Sequence, residues 1–166
     1  MADRSITRLP LAVASFAIGL AAILGAWGFQ IFGGYAPCKL CLEQRIPYYV
    51  GLPVLLAAIL LVLSRKSEVL ARLLLVAAGL IFVAGLGLAI YHAGAEWQFW
   101  AGPTDCGGGT ATTNNAEDLL AQIGKTRVVS CTDAALRVFG LSFAGWNGVV
   151  SAVIAAGTFR AAFLRR

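Results

Sequence analysis

Residues 9–32 read LPLAVASFAIGLAAILGAWGFQIF, a run of 24 positions from Leu9 to Phe32 without one charged side chain. A bilayer core about 30 Å thick is crossed by roughly 20 mainly apolar residues, so this segment alone is long enough to span. A signal-peptide apolar core covers only about 7–15 residues and ends at a small-x-small site. None closes this run, and Tyr35-Ala36-Pro37 before Cys38 is a poor lipoprotein cleavage site, so a retained helix is expected. Three further windows have the same character: Ile46–Leu63, Leu73–Tyr91 and, approximately, Leu141–Phe159. Pro47 falls in the first turn of the second window, where its missing N–H costs little, whereas Pro53 is expected to kink it unless neighbours satisfy the freed carbonyl. Trp146 and Asn147 give the fourth window polar groups suited to an interface or a helix contact. The chain reads as an all-α membrane protein: one domain over residues 1–166, a four-transmembrane-helix bundle with spans near 9–32, 46–63, 73–91 and 141–159.

Composition agrees. The 166 residues are 59% apolar and only 13% charged, with a mean hydropathy of +0.80. Soluble domains carry about 25% charged residues, roughly twice as many. Orientation follows from Lys and Arg. Four spans put the N-terminus, the Ser64–Arg72 link and the C-terminus on one side. That side holds Arg4, Arg8, Arg65, Lys66, Arg72, Arg160, Arg165 and Arg166 against Asp3 and Glu68, a net of +6; the opposite side nets −1. Both termini are therefore expected in the cytoplasm, with outer loops at 33–45 and 92–140, periplasmic if the cell is bacterial. The overall charge of +5 is a topology signal, and nothing points to nucleic acid.

All four cysteines fall in those outer loops. Cys38-Lys39-Leu40-Cys41 is a C-x-x-C, a spacing that opens and closes a small ring with little backbone movement and often holds a thiol of lowered pKa. With the second helix beginning just beyond it, Cys41 is expected near a helix N-terminus, where free N–H groups favour a thiolate. Arg45 lies about one turn on, close enough to approach that sulfur or an anionic ligand; as a bare helix-end cation it would instead snorkel to headgroups. His92 is at the outer end of the third span, and Trp97 and Trp100 read as interfacial anchors. Half of a zinc site or a structural bridge are the alternative readings of the C-x-x-C. A zinc site usually brings a second tight pair, whereas 24 residues intervene between Cys106 and Cys131 and His92 is the only histidine. No metal is expected. Leu42 after Cys41 excludes c-type haem attachment. Cys106 adjoins Gly107-Gly108-Gly109, which favours a mobile, exchanging bridge, although a bridge there would equally close and restrict a long loop. Between Glu117 and Val129 a short interfacial helix and a solvated turn are both open.

At these residues the chain resembles the family of disulfide bond formation protein B (DsbB), membrane oxidases that recharge a soluble periplasmic oxidant, DsbA. The resemblance covers essentially the whole chain. It rests on the C-x-x-C before the second helix, the arginine four residues after Cys41, the second pair before the fourth helix, and the stretch from Cys131 through Phe139-Gly140-Leu141 to Trp146. It implies that Cys106, paired with Cys131, meets the reduced partner; that Cys38 and Cys41 reoxidise that pair; that Cys41 faces a quinone (ubiquinone or menaquinone); and that Arg45, with His92 nearby, holds it. It implies a quinone-dependent protein-dithiol oxidase in a bacterial inner membrane, with a DsbA-like thioredoxin-fold partner. Two other readings remain: a quinone reductase of the vitamin K epoxide reductase type, disfavoured because its C-x-x-C lies late in the chain, and a non-catalytic membrane scaffold with structural disulfides.

Overall fold

The computed structural model describes residues 5–103 and 130–164. Its elements are α1 (Ser5–Ile31), α2 (Lys39–Glu43), α3 (Ile46–Ser64), α4 (Glu68–Glu96), β1 (Arg137–Val138), β2 (Leu141–Ser142) and α5 (Phe143–Phe163). The segment expected to hold either an interfacial helix or a turn, and Cys106 with its glycines, lie outside the described residues.

Helices α4 and α5 start where a serine side chain can occupy a free N–H group. Ser67 accepts from the Leu70 N–H at 3.3 Å to open α4, and Ser142 accepts from the Gly145 N–H at 3.1 Å to open α5. Pro47 sits in the first turn of α3, and the helix continues through Pro53 to Ser64. Between β1 and β2, Phe139 (φ 52°) and Gly140 (φ 84°) both take left-handed backbone, the two-residue hairpin geometry that glycine suits and phenylalanine does not.

Helix α5 packs most extensively on α4, and α3 on α4, with α1 closing against α5 and α3. One apolar cluster joins Ala12, Leu55, Leu75, Ala78 and Ala161; a second joins Ile23, Tyr48, Leu52, Phe82 and Ile154. Close approach needs small residues at the crossings: a β-carbon on Gly79 would come within 2.8 Å of the Phe159 ring. Outward faces are apolar as well, with Leu24, Leu60, Leu80 and Ile90 all more than half exposed. A soluble surface would not carry such continuous apolar area; lipid is its proper solvent.

Three stretches, Arg8–Ile31, Lys39–Ser64 and Glu68–Glu96, are long and apolar enough to cross a membrane. Helix α5 is the fourth long helix, and its composition differs for a packing reason. Its buried face is small apart from Ile154, with Ala144, Gly148, Ser151, Ala155, Thr158 and Ala162 letting it lie against its neighbours, and the Thr158 hydroxyl donates back to the Ile154 carbonyl at 2.9 Å. One end of the bundle is tied by cations. Arg8 Nε donates to the Leu164 carbonyl at 2.9 Å and its Nη1 pairs with Glu68 at 2.8 Å; Arg72 Nε donates to the Ala162 carbonyl at 2.8 Å. The beginning of α1, the beginning of α4 and the end of α5 thus meet, with cations on the carbonyls that a helix C-terminus leaves free. Cys38, Cys41 and Cys131 lie at the other end. There Trp100 donates to the Tyr91 carbonyl at 2.8 Å and stacks on the Tyr91 ring, while Trp97 stays half exposed.

Candidate functional site

Helix α2 is a single five-residue turn inside the stretch 33–45, expected from the sequence to be a loop. It begins at Lys39, so the capping position belongs to Cys38, whereas the sequence had only set Cys41 near a helix start. The Cys41 N–H donates to Cys38 Sγ at 3.1 Å, as a serine oxygen would at an N-cap. Cys38 is buried and Cys41 is partly open; both are free thiols, their sulfurs 2.7 Å apart.

His92 comes to the same sulfur from α4, its Nε2 3.7 Å from Cys38 Sγ. The imidazole is only 1% exposed, and a row of amides holds its other nitrogen. Tyr48 Oη donates to Asn147 Oδ1 at 2.5 Å, Asn147 Nδ2 donates to Gln44 Oε1 at 2.6 Å, and Gln44 Nε2 lies 2.6 Å from His92 Nδ1. In this sense of the row Nδ1 accepts, which leaves the neutral ring's proton on Nε2, facing Cys38. Either sulfur can hold the proton they share, but the backbone N–H and the imidazole both face Cys38, so the negative charge settles there. The Cys38 thiol is accordingly lowered to about 5, chiefly by its hydrogen bond with the Cys41 side chain; burial opposes this, and His92 and the Cys41 N–H add to it.

Glu96, one turn beyond His92, is buried, with Oε1 3.7 Å from His92 Nε2. Its Oε2 has no hydrogen-bond partner among the described residues. Arg45 is buried too, just before α3. Its Nη1 donates to Gln30 Oε1 at 2.7 Å and its guanidinium lies 5.1 Å from the Trp27 ring centre, a cation–π distance. Among the described residues no carboxylate pairs with it.

These groups surround one cavity of about 340 Å³ between α1, α3 and α5, reached by Cys38, Cys41, Gln44, Arg45, His92 and Glu96 and otherwise walled largely by apolar side chains such as Ile23, Phe29 and Val150. Cys131, only 1% exposed and disulfide-bonded, packs in one small cluster with Cys38, Leu40 and Cys41. The structure therefore gathers Cys38, Cys41, Arg45, His92 and Cys131; Cys106 lies outside the described residues. Gln30, Gln44, Tyr48, Glu96 and Asn147 were not singled out as site residues from sequence. An amide or acid near the end of an apolar run looks like any interfacial residue. Only the recurrence of buried-type polar groups at the same ends of three windows (Gln44, Glu96, Asn147) offered a signal.

A search of curated proteins and a search of solved structures each found no match. The family described as disulfide bond formation protein DsbB, by contrast, matches residues 7–161, nearly the full length and every element described above. The chain belongs to the DsbB family, membrane oxidoreductases of disulfide bond formation.

Proposed function

We propose that this protein is a thiol:quinone oxidoreductase, taking two electrons from a DsbA-like dithiol protein and delivering them to a membrane quinone, ubiquinone or menaquinone. One observation carries the reading. The Cys38–Cys41 pair and the buried cation of Arg45, which no carboxylate among the described residues meets, line the same largely apolar cavity of about 340 Å³. That size falls in the usual range of small-molecule sites, about 300–1,000 Å³. A planar apolar ring with carbonyl oxygens fits such a wall, since its oxygens can accept from the guanidinium, whose charge Gln30 and the Trp27 ring contact without neutralising. When bound, the quinone supplies the acceptor for two electrons and two protons.

The residues divide the work by exposure. A partner thiolate attacks Cys106 of a Cys106–Cys131 bridge, forming a mixed disulfide and expelling Cys131 as thiolate; the partner's second thiol then releases the oxidised partner. Cys131 is too buried for direct attack from solution, which suits a leaving group, and it packs against Cys38. The freed pair is reoxidised by exchange with a Cys38–Cys41 bridge, which becomes a dithiol as Cys106–Cys131 closes. Cys38 holds the thiolate next to Cys131, while the more open Cys41 addresses the cavity. Arg45 lowers the cost of negative charge there, and His92 supplies an N–H to sulfur. The surplus of Lys and Arg at the Arg8–Arg72 end supports a cytoplasmic location for both termini, four spans, and cysteines on the periplasmic side of a bacterial inner membrane.

The test is oxidation of a reduced thioredoxin-fold protein by the purified full chain, with and without added quinone. Catalytic turnover that requires quinone is expected; turnover indifferent to quinone, or none, overturns the proposal.

A further inference from the structure

Glu96 is the buried group that the proposed relay leaves unused; its Oε2 has no partner among the described residues, and its Oε1 lies 3.7 Å from one of three clustered metal-type donors. Cys38 Sγ, Cys41 Sγ and a ring nitrogen of His92 all lie within 4.8 Å of one another. His92 Nε2 is 3.7 Å from Cys38 Sγ and 3.7 Å from Glu96 Oε1. Around a tetrahedral zinc ion with Zn–S near 2.3 Å and Zn–N or Zn–O near 2.1 Å, simple geometry separates sulfur from nitrogen by about 3.6 Å and nitrogen from oxygen by about 3.4 Å. Both of those edges are therefore nearly in place. Only the sulfur–sulfur edge, 2.7 Å here, must widen by about 1 Å to its tetrahedral length, a movement that turning the Cys41 side chain within the cavity can supply.

We infer that the dithiol form of this protein binds one soft or borderline divalent cation, Zn²⁺ foremost, through Cys38, Cys41 and His92, with Glu96 closing the tetrahedron. The ion meets two thiolates, one imidazole and one carboxylate, a set of softness suited to zinc. Binding expels the two thiol protons: Zn²⁺ plus two R–SH gives Zn(S–R)₂ plus two H⁺, with no change of oxidation state. A metal-bound histidine commonly donates its remaining N–H to a neighbour, and Gln44 stands 2.6 Å from Nδ1 to receive it. The Gln44 and Asn147 amides turn over together, and the Tyr48 hydroxyl changes from donor to acceptor. A Cys38–Cys41 disulfide offers no thiolate, so the site exists only in the reduced protein. Metal there withholds both sulfurs from exchange, which makes the reduced relay a target of metal inhibition.

The experiment needs neither quinone nor partner, so it stands or falls separately from the proposed oxidase activity. The full chain in detergent, reduced and then freed of reductant, is titrated with Co²⁺ and afterwards with Zn²⁺; a sample oxidised at Cys38–Cys41 is treated in parallel. One Co²⁺ per chain is expected, with the visible spectrum of a four-coordinate site and a sulfur-to-metal charge-transfer band, both lost when Zn²⁺ displaces it. The oxidised sample should bind none. His92→Gln and Glu96→Gln should each weaken Zn²⁺ by at least about tenfold, the lower end of what even an outer partner of a metal ligand contributes; helicity and thiol count verify their fold. Equal affinity in both variants would reduce the site to an ordinary dithiol chelator and overturn the inference. So would binding to the oxidised chain, or no binding at all. Loss in His92→Gln with none in Glu96→Gln would overturn the part assigned to Glu96.

Discussion

Arg45→Met keeps a long apolar side chain and removes a buried charge. A charge-assisted hydrogen bond contributes about 1.5–3 kcal/mol, so apparent quinone affinity should weaken by about 10–150-fold, at 1.4 kcal/mol per factor of ten. Arg45→Lys should fall between, keeping charge but losing the planar fork that reaches Gln30 while lying over Trp27. Single-turnover oxidation of the partner by the Cys106–Cys131 pair should be unchanged in both. A quinone titration of turnover reads the first effect; unaltered quinone dependence in Arg45→Met would leave the residue a structural plug between α1 and α3. Cys38 gives a second expectation at this scale. Its thiol is lowered to about 5, so in the reduced, chelator-treated protein its thiolate should persist at neutral pH and disappear as pH falls through about 5. Thiolate ultraviolet absorbance, compared between the parent and Cys38→Ser, reads this directly. His92→Gln should move that loss to higher pH, because a hydrogen bond to the anion is withdrawn.

The short elements hold most of what the site adds to the bundle. With Cys131 buried against α2 and Cys38, Cys131→Ser should trap a mixed disulfide between Cys106 and the partner, seen as a covalent complex on a non-reducing gel; its absence with oxidised partner present removes Cys106 as the point of attack. Gln44→Leu should leave His92 Nδ1 and Asn147 without their shared partner. A buried polar group so orphaned costs about 1–3 kcal/mol, readable as a lowered unfolding midpoint, and the Cys38 thiolate should lose part of its stabilisation. These elements were also the least legible in the sequence. The C-x-x-C and Arg45 stood out through spacing, but the turn at Lys39–Glu43 is too short to leave a periodicity, and it makes Cys38 the capping residue where the sequence had only set Cys41 near a helix start. Gln44, His92 and Asn147 are brought together by helix crossing, and no local pattern encodes which ends of which helices meet.

The bundle itself was legible because lipid makes a simple demand: long apolar runs with the charges driven to their ends. Leu9–Phe32 and Ile46–Leu63 lie within observed helices almost to the residue, whereas α4 runs five residues past each edge of its hydropathy window, Leu73–Tyr91, through Glu68 and Glu96. The helix persists there because Ser67 caps one end, while at the other His92, Ala95 and Glu96 are buried against the site; hydropathy averages register neither. On the proposed topology, reporters fused to either terminus should remain cytoplasmic, and an impermeant thiol reagent should reach the cysteines only from the outer face. Labelling from the inner face would invert the orientation. The unequal helix lengths have a further consequence. At about 1.5 Å per residue, the 29 residues of α4 extend about 43 Å and the 19 of α3 about 28 Å. The two are joined through Arg65–Ser67 at the end tied by Arg8 and Arg72, so the difference emerges entirely at the cysteine end. There α4 stands proud as a mast, with α2 lashed to its side. On the proposed topology, the acyl chains of a thick membrane should reach up that mast toward α2, and those of a thin one should leave it to water. Acyl chain length should then act on the partly open Cys41 and leave the buried Cys38 and Cys131 untouched.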